Sequence, residues 1–143
     1  MRPSDTPRRP EDGPERAETA PVPDAEEVPF DAAVLQQVAT DDGIGARELP
    51  ELLGRVEAHL TDCRESLRRR FESPYSDDRR ELFFVPPDYW EGVASVLPLS
   101  PREKQAVQRA HERQLLRIGA EARRGTEFDA ALDIRTAVVV GRE

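Results

Sequence analysis

The chain has 143 residues, room for one domain, and carries 29 acidic against 21 basic side chains, a formal net charge of −8 at pH 7. Charge of that sign keeps a protein soluble and monomeric by self-repulsion and disfavours non-specific binding to nucleic acid or anionic membrane, where phosphates meet a net negative body. A single cysteine excludes an intramolecular disulfide and a cysteine-based metal cage, and no apolar run approaches the roughly 18–20 residues that span a bilayer.

Lys104 is the only lysine among the basic residues. Arginine usage with surplus carboxylate fits a GC-rich genome, and the acid excess fits a halophile surface. Residues 1–29 hold seven of the thirteen prolines and a charge of −4, from four Arg against eight Asp and Glu. With almost no large apolar side chains, such a segment cannot bury enough surface to offset its ordering entropy. A disordered, solubilising tail is expected there, with a tether or docking tail as the alternative. Its first residues, MRPSDTPRRPEDGPERAETA, lack the apolar core of a signal peptide, so a cytoplasmic location is expected. Residues 30–143 are expected to form a single domain.

From Phe30 the pattern is helical. In FDAAVLQQVA, Phe30, Val34, Leu35 and Val38 recur at 3.6-residue spacing, with Asp31 placed to cap the start. DDGIG breaks the chain. One long helix is then predicted from about Arg47 to Phe71, on the apolar stripe Leu49, Leu52, Leu53, Val56, Leu60, Cys63, Leu67 and Phe71. Pro50 is tolerated because it lies in the first turn, and Arg68, Arg69 and Arg70 suit the negative end of the helix dipole. SPYSDDRRE (73–81) reads as a polar turn, and ELFFV (81–85) as a short strand stopped by Pro86 and Pro87. Pro87 opens a helix carrying Trp90, Val93, Ala94 and Leu97, which Pro98 ends. A further helix runs from Ser100 to about Arg124 with Val107, Ala110, His111, Leu115 and Ile118 facing inward, and Gly125 stops it. A helical turn at Phe128–Leu132 leads to the strand TAVVV (136–140), which is expected to pair with ELFFV because a lone strand leaves its backbone groups unsatisfied. The expected fold is mainly α: a small helical domain with a minor two-stranded β ribbon and a disordered N-terminal tail.

LSPRE (99–103) opens a helix as LuxR-type helix-turn-helix domains do. Without any family it is a capping box: Ser100 accepts from the Glu103 N–H, Glu103 reaches back to the Ser100 N–H, and Pro101 takes the first helical position, with about 1 kcal/mol attached to the cap. The LuxR-type likeness ends after these residues, since RAHERQLLRIGA continues the helix with no glycine turn before Gly119. VATDDGIGAREL has the small–glycine–apolar–apolar spacing of a helix-turn-helix at Ala39, Gly43, Ile44 and Leu49. Its would-be recognition helix, however, sets Arg47 and Arg55 against Glu48, Glu51 and Glu57, and carboxylates facing a phosphate groove cost affinity.

His111 lies in RAHERQ with Leu115, not histidine, four residues on, so it is no zinc motif. With His59 as the only other histidine, a packed His111 is the expectation, and no metal or cofactor is expected. Cys63 is read as core. No nucleophile elbow, glycine-rich phosphate loop or dinucleotide fingerprint is present, so no enzyme is expected. A surface suggestion remains around the loop and ribbon: Arg68, Arg69, Arg70, Tyr75, Arg79, Arg80, Tyr89 and Trp90 combine the residue types that interaction hot spots favour. Trp90 also reads as a core anchor.

PFDAAVLQQVA, PPDYWEGVASVLPLSPREKQAVQRAHERQ and ALDIRTAVVVGR together resemble a family of small acidic proteins of halophilic archaea with no assigned function; a high-GC actinobacterium is the rival origin. The resemblance spans Phe30 to Arg142 and transfers no site. The expected function is that of a non-catalytic protein-interaction module that meets an unknown protein partner through Arg68, Arg69, Arg70, Tyr75, Arg79 and Arg80, or self-associates by pairing of the long helix with a copy of itself. The alternative is a nucleic-acid-associated transcriptional regulator using the arginine-bearing segment 68–80.

Overall fold

A computed structural model describes residues 28–142; the expected disordered tail falls on residues 1–29, of which 1–27 lie outside the described residues. The elements in order are α1 (Ala32–Asp42), α2 (Glu48–Asp62), α3 (Arg64–Arg70), β1 (Glu72–Ser76), β2 (Arg80–Val85), α4 (Tyr89–Val96), α5 (Pro101–Glu121), α6 (Gly125–Ala131) and β3 (Thr136–Gly141). The domain is mainly helical, with one small antiparallel sheet in the order β1-β2-β3.

The expected pairing of ELFFV with TAVVV is present: β2 and β3 run antiparallel with Phe83 opposite Val138 and Val85 opposite Thr136. Every residue of β2 is buried, and β3 is buried from Thr136 to Val140. Successive side chains point to opposite faces, so burial at every position means that both faces are covered. The sheet has three strands, not two. Segment 73–81, expected as a turn, supplies β1, which pairs with β2 through Tyr75 opposite Leu82 and Ser76 opposite Glu81, with a register irregularity between Glu72 and Tyr75. Glu-Ser-Pro-Tyr-Ser has no strand pattern of its own. Its conformation comes from the partner it finds, and proline is tolerated because this is an edge strand. The true turn is Asp77–Arg79, where Asp77 Oδ1 accepts from the N–H groups of Arg79 and Arg80, both at 2.8 Å.

The single helix expected from Arg47 to Phe71 is two. Cys63, at φ −95° and ψ 3°, separates α2 from α3. Leu60 and Leu67 are both buried on either side of the break, so an apolar stripe satisfies a bent path as well as a straight one. Cys63 itself is half-buried, not core.

α5 is the central helix, packing on β3, α1, α2, α4 and α6. Its start carries the full capping box, with Ser100 Oγ accepting from the Glu103 N–H at 3.1 Å and Glu103 Oε1 accepting from the Ser100 N–H at 2.9 Å. Its end is earlier than expected. Arg123 adopts the left-handed conformation at φ 60°, and the Arg124 N–H reaches back to the Gly119 carbonyl at 2.7 Å. That is a Schellman closure with arginine where glycine is usual. Gly125 begins α6 instead of stopping α5. Likewise α4 begins at Tyr89, two residues after Pro87.

Asp31 flanks α1 without capping it. Its backbone N–H donates to Gln114 Oε1 at 2.7 Å, and its carboxylate accepts from Gln114 Nε2 at 3.1 Å and Arg117 Nε at 2.8 Å. Gln114 is fully buried on α5, so this reciprocal pair ties the entry of α1 to the central helix. Burial alone raises Asp31, but the Gln114 bond and the charges of Arg80 and Arg117 hold its carboxyl below the ordinary value.

Candidate functional site

β3 lies at one edge of the sheet, so alternate backbone groups face away from β2 and need other partners. Side chains provide them. Val139 N–H donates to His111 Nδ1 at 2.9 Å, and Gly141 N–H donates to Glu57 Oε2 at 2.9 Å. The Gly141 carbonyl accepts from Arg64 Nη2. His111 therefore carries its proton on Nε2. Phe30 meets its ring edge-on at 4.8 Å, and Trp90 lies tilted beside it at 4.6 Å. Burial pushes His111 down to about 3. It is a packed residue that seals a strand edge, and Trp90, fully buried, is the core anchor.

The turn-and-arginine segment is distributed over several places. Arg68 grips the buried Glu81 carboxylate through Nε and Nη2 at 2.8–3.2 Å and adds a contact to Glu65 at 3.4 Å. Tyr75 donates its hydroxyl to Asp77 at 3.1 Å. Arg69 is exposed on α3. Arg70 lies over the Phe71 ring at 4.8 Å. Arg79 is exposed and Arg80 buried, and both line a cavity beside the end of β3. The structure thus joins Arg79 with Arg80, sends Arg70 elsewhere, and leaves Arg68 and Tyr75 engaged within the domain.

The cavity has a volume of about 320 Å³, and its polar wall includes Glu57, Arg64, Asp78, Arg79, Arg80 and Arg142. Glu57 Oε2 accepts from Gly141 N–H and from Thr61 Oγ1 at 3.3 Å. Its Oε1 is buried and has no partner among the described residues, as are the Nε atoms of Arg64 and Arg80. Burial pushes the Glu57 carboxyl up, more than its hydrogen bonds and the Arg64 charge lower it. The sequence reading missed Glu57, Arg64 and Arg142 as site residues. A signal existed for the first two: seven residues apart, they return to one face of a helical path.

Two further hollows, about 330 and 390 Å³, adjoin at Arg70, Phe71 and Pro86, which line both, and make up a two-part groove. The first adds His59, Tyr89, Val93 and Val96; the second adds Phe84, Pro87, Ile134 and Arg135. Tyr89 meets Phe71 edge-on at 5.9 Å, and Arg135 lies over the Phe84 ring at 4.5 Å while pairing with Glu72 at 2.9 Å. Val96, 63% exposed, borders the first hollow, and Ile134, 71% exposed, borders the second. Near this groove Cys63 Sγ stands 3.8 Å from His59 Nε2, a proximity that their i, i+4 spacing made readable in advance.

Among the described residues no group of three or more His, Cys, Asp or Glu is arranged to hold a metal ion, and no helix is long and apolar enough to cross a membrane. No curated protein and no solved structure matches the chain. The model of one family, described as "Domain of unknown function (DUF8048)", matches residues 28–142, the whole of the folded domain described above, and the chain belongs to that family.

Proposed function

We propose that this domain is a non-catalytic protein-interaction module that receives an apolar, carboxylate-bearing protein segment in the groove floored by Phe71, Pro86 and Tyr89. One observation carries this reading. Val96 and Ile134 are the exposed large hydrophobics among the described residues, and each borders one of the two hollows that adjoin at Arg70, Phe71 and Pro86. Scattered apolar side chains need no explanation, but exposed ones at the borders of two adjoining, partly apolar hollows mark an interaction surface. Arg70, lying over the Phe71 ring and shared by both hollows, favours a partner with an acidic group beside its apolar ones, whereas Arg135 is already paired with Glu72.

The nucleic-acid alternative needs the arginines of 68–80 to act on one phosphate-bearing face. Arg68 is held by Glu81 and Arg80 is turned inward, which leaves Arg69, Arg70 and Arg79 against a net negative body. The protein-docking reading is the better supported. The likeness to small acidic proteins of halophilic archaea extends it: we place the module in a cytoplasm of high salt, where ion pairs are screened and apolar contacts are strengthened.

The test is fluorescence polarisation with apolar peptides of matched length bearing either Glu or Lys. Saturable binding of the Glu series, lost in Val96→Asp and Ile134→Asp and weakened in Arg70→Glu with unchanged thermal unfolding, supports the assignment. Equal binding of both series, or indifference to the two Asp substitutions, refutes it. Concentration-dependent dimerisation abolished by the same substitutions would replace the partner with a second copy of the chain. Salt-sensitive duplex DNA binding, lost on neutralising Arg69, Arg70 and Arg79, would install the regulator instead.

A further inference from the structure

In a chain of net charge −8, four arginines, Arg64, Arg79, Arg80 and Arg142, line one cavity, with Glu57 and Asp78 as the carboxylates of its wall among the described residues. Burying a cation is costly unless it is paired and hydrogen-bonded. Arg80 is 7% exposed, yet its described acceptors are distant: Asp31 Oδ1 at 3.4 Å and the Pro29 carbonyl at 3.5 Å. Asp31 is moreover shared with Gln114 and Arg117. Among the described residues Arg80 Nε has no acceptor, and neither does Arg64 Nε, whose Nη2 is spent on the Gly141 carbonyl. The same wall holds one orphaned acceptor, Glu57 Oε1.

A ligand that completes this wall must accept several hydrogen bonds and donate one. A fully ionised oxyanion meets the first need and fails the second, because its oxygens are repelled by the Glu57 carboxylate. Hydrogen phosphate meets both. We propose that the cavity is a binding site for a proton-bearing phosphate group, with its bare oxygens accepting from Arg64 and Arg80, its P–OH donating to Glu57 Oε1, and Arg79 and Arg142 supplying charge at the mouth. The volume of about 320 Å³ lies at the lower end of the roughly 300–1,000 Å³ typical of small-molecule sites, which suits free phosphate or a compact monoester. This assignment is independent of the docking groove, with which the cavity shares no residue.

The experiment is isothermal titration calorimetry of the full chain at pH 7.5 and constant high chloride, with inorganic phosphate and sulfate as probes. Sulfate has the size and shape of phosphate but no proton to donate at this pH. Phosphate should bind about tenfold or more tightly than sulfate, the effect of a single hydrogen bond to a charged group. Glu57→Gln presents an amide N–H₂ in place of Oε1, so sulfate should gain and the preference should collapse toward unity. Arg142→Gln and Arg79→Gln, at exposed positions that spare the fold, should weaken both anions. Equal binding of phosphate and sulfate to the unaltered chain, absence of phosphate binding, or binding indifferent to Glu57→Gln and Arg142→Gln would each overturn the proposal. Phosphoserine distinguishes the source of the group: tighter binding than inorganic phosphate assigns the site to a monoester, weaker binding to the free ion.

Discussion

Replacing His111 by asparagine should flatten part of the acid sensitivity of the fold. His111 is 1% exposed, and burial pushes it from 6.5 down to about 3. The unfolded chain therefore binds a proton in this window that the folded chain refuses. Stability is fully present above pH 6.5 and falls as pH drops from there to about 3, at roughly 1.4 kcal/mol per pH unit. At pH 4.5 the loss amounts to about 3 kcal/mol, a sizeable share of the 5–15 kcal/mol that holds a domain together. Asparagine keeps an acceptor for the Val139 N–H, which His111 Nδ1 holds at 2.9 Å, and does not titrate. It leaves space beside Phe30 and Trp90, a cost independent of pH. Urea unfolding of both chains from pH 7.5 to 4.5 reads the difference, with fluorescence of Trp90, the only tryptophan, as the probe. Carboxylate effects common to the two chains cancel. The variant should be the weaker at pH 7.5 and close the gap by about 3 kcal/mol at pH 4.5. A gap that stays constant across this range would refute the reasoning.

Four other substitutions test the fold at separate points. Arg123→Gly relieves a left-handed backbone at φ 60° and should raise stability by roughly 0.5–1 kcal/mol in urea unfolding. Gly119→Ala would place a Cβ 2.7 Å from Phe128 Cδ2; overpacking of about 1–3 kcal/mol should outweigh the helix-propensity gain of about 1 kcal/mol and lower the thermal midpoint. Ser100→Ala removes the α5 cap and should cost about 1 kcal/mol, read in the same urea assay. Glu57→Gln tests the raised carboxyl in phosphate-free buffer. A raised value in the folded state gives stability that is full below 4.5 and lost as pH rises, so the glutamine chain should pull ahead of the unaltered one toward neutral pH, by a margin that vanishes in acid.

The parts of the fold legible in the sequence are those where one segment carries its own pattern. The helical stripes of α1, α2 and α5, the capping box at Ser100 and the pairing of ELFFV with TAVVV all belong to this class. β1 was illegible because Glu-Ser-Pro-Tyr-Ser becomes a strand only by lying against β2. The bend at Cys63 left no trace because the apolar spacing continues through it, and Arg123 hid the end of α5 by standing where glycine is usual. The site divides the same way. Arg79 and Arg80 are conspicuous in the sequence, but the cavity they line is completed by Glu57 and Arg64 from α2 and α3 and by Arg142 after β3; helical spacing relates Glu57 to Arg64, and no local signal joins that pair to the other three. The groove is similar: Phe71, Pro86 and Ile134 come from separate connections and meet only in three dimensions.

The two borders of the sheet are guarded differently. At β3 the outward N–H groups of Val139 and Gly141 are already taken by His111 and Glu57, and at β1 a proline and a break in register interrupt the ladder. The Val139 and Gly141 N–H groups are thus not free to pair with another chain, and Pro74 on β1 has no N–H to offer. In concentrated salt, where repulsion between acidic bodies reaches only a few ångströms, like-charged molecules approach freely, and an open border would invite runaway stacking. Occupied N–H groups on one side and a proline on the other lessen the pull of backbone pairing between crowded copies of this domain.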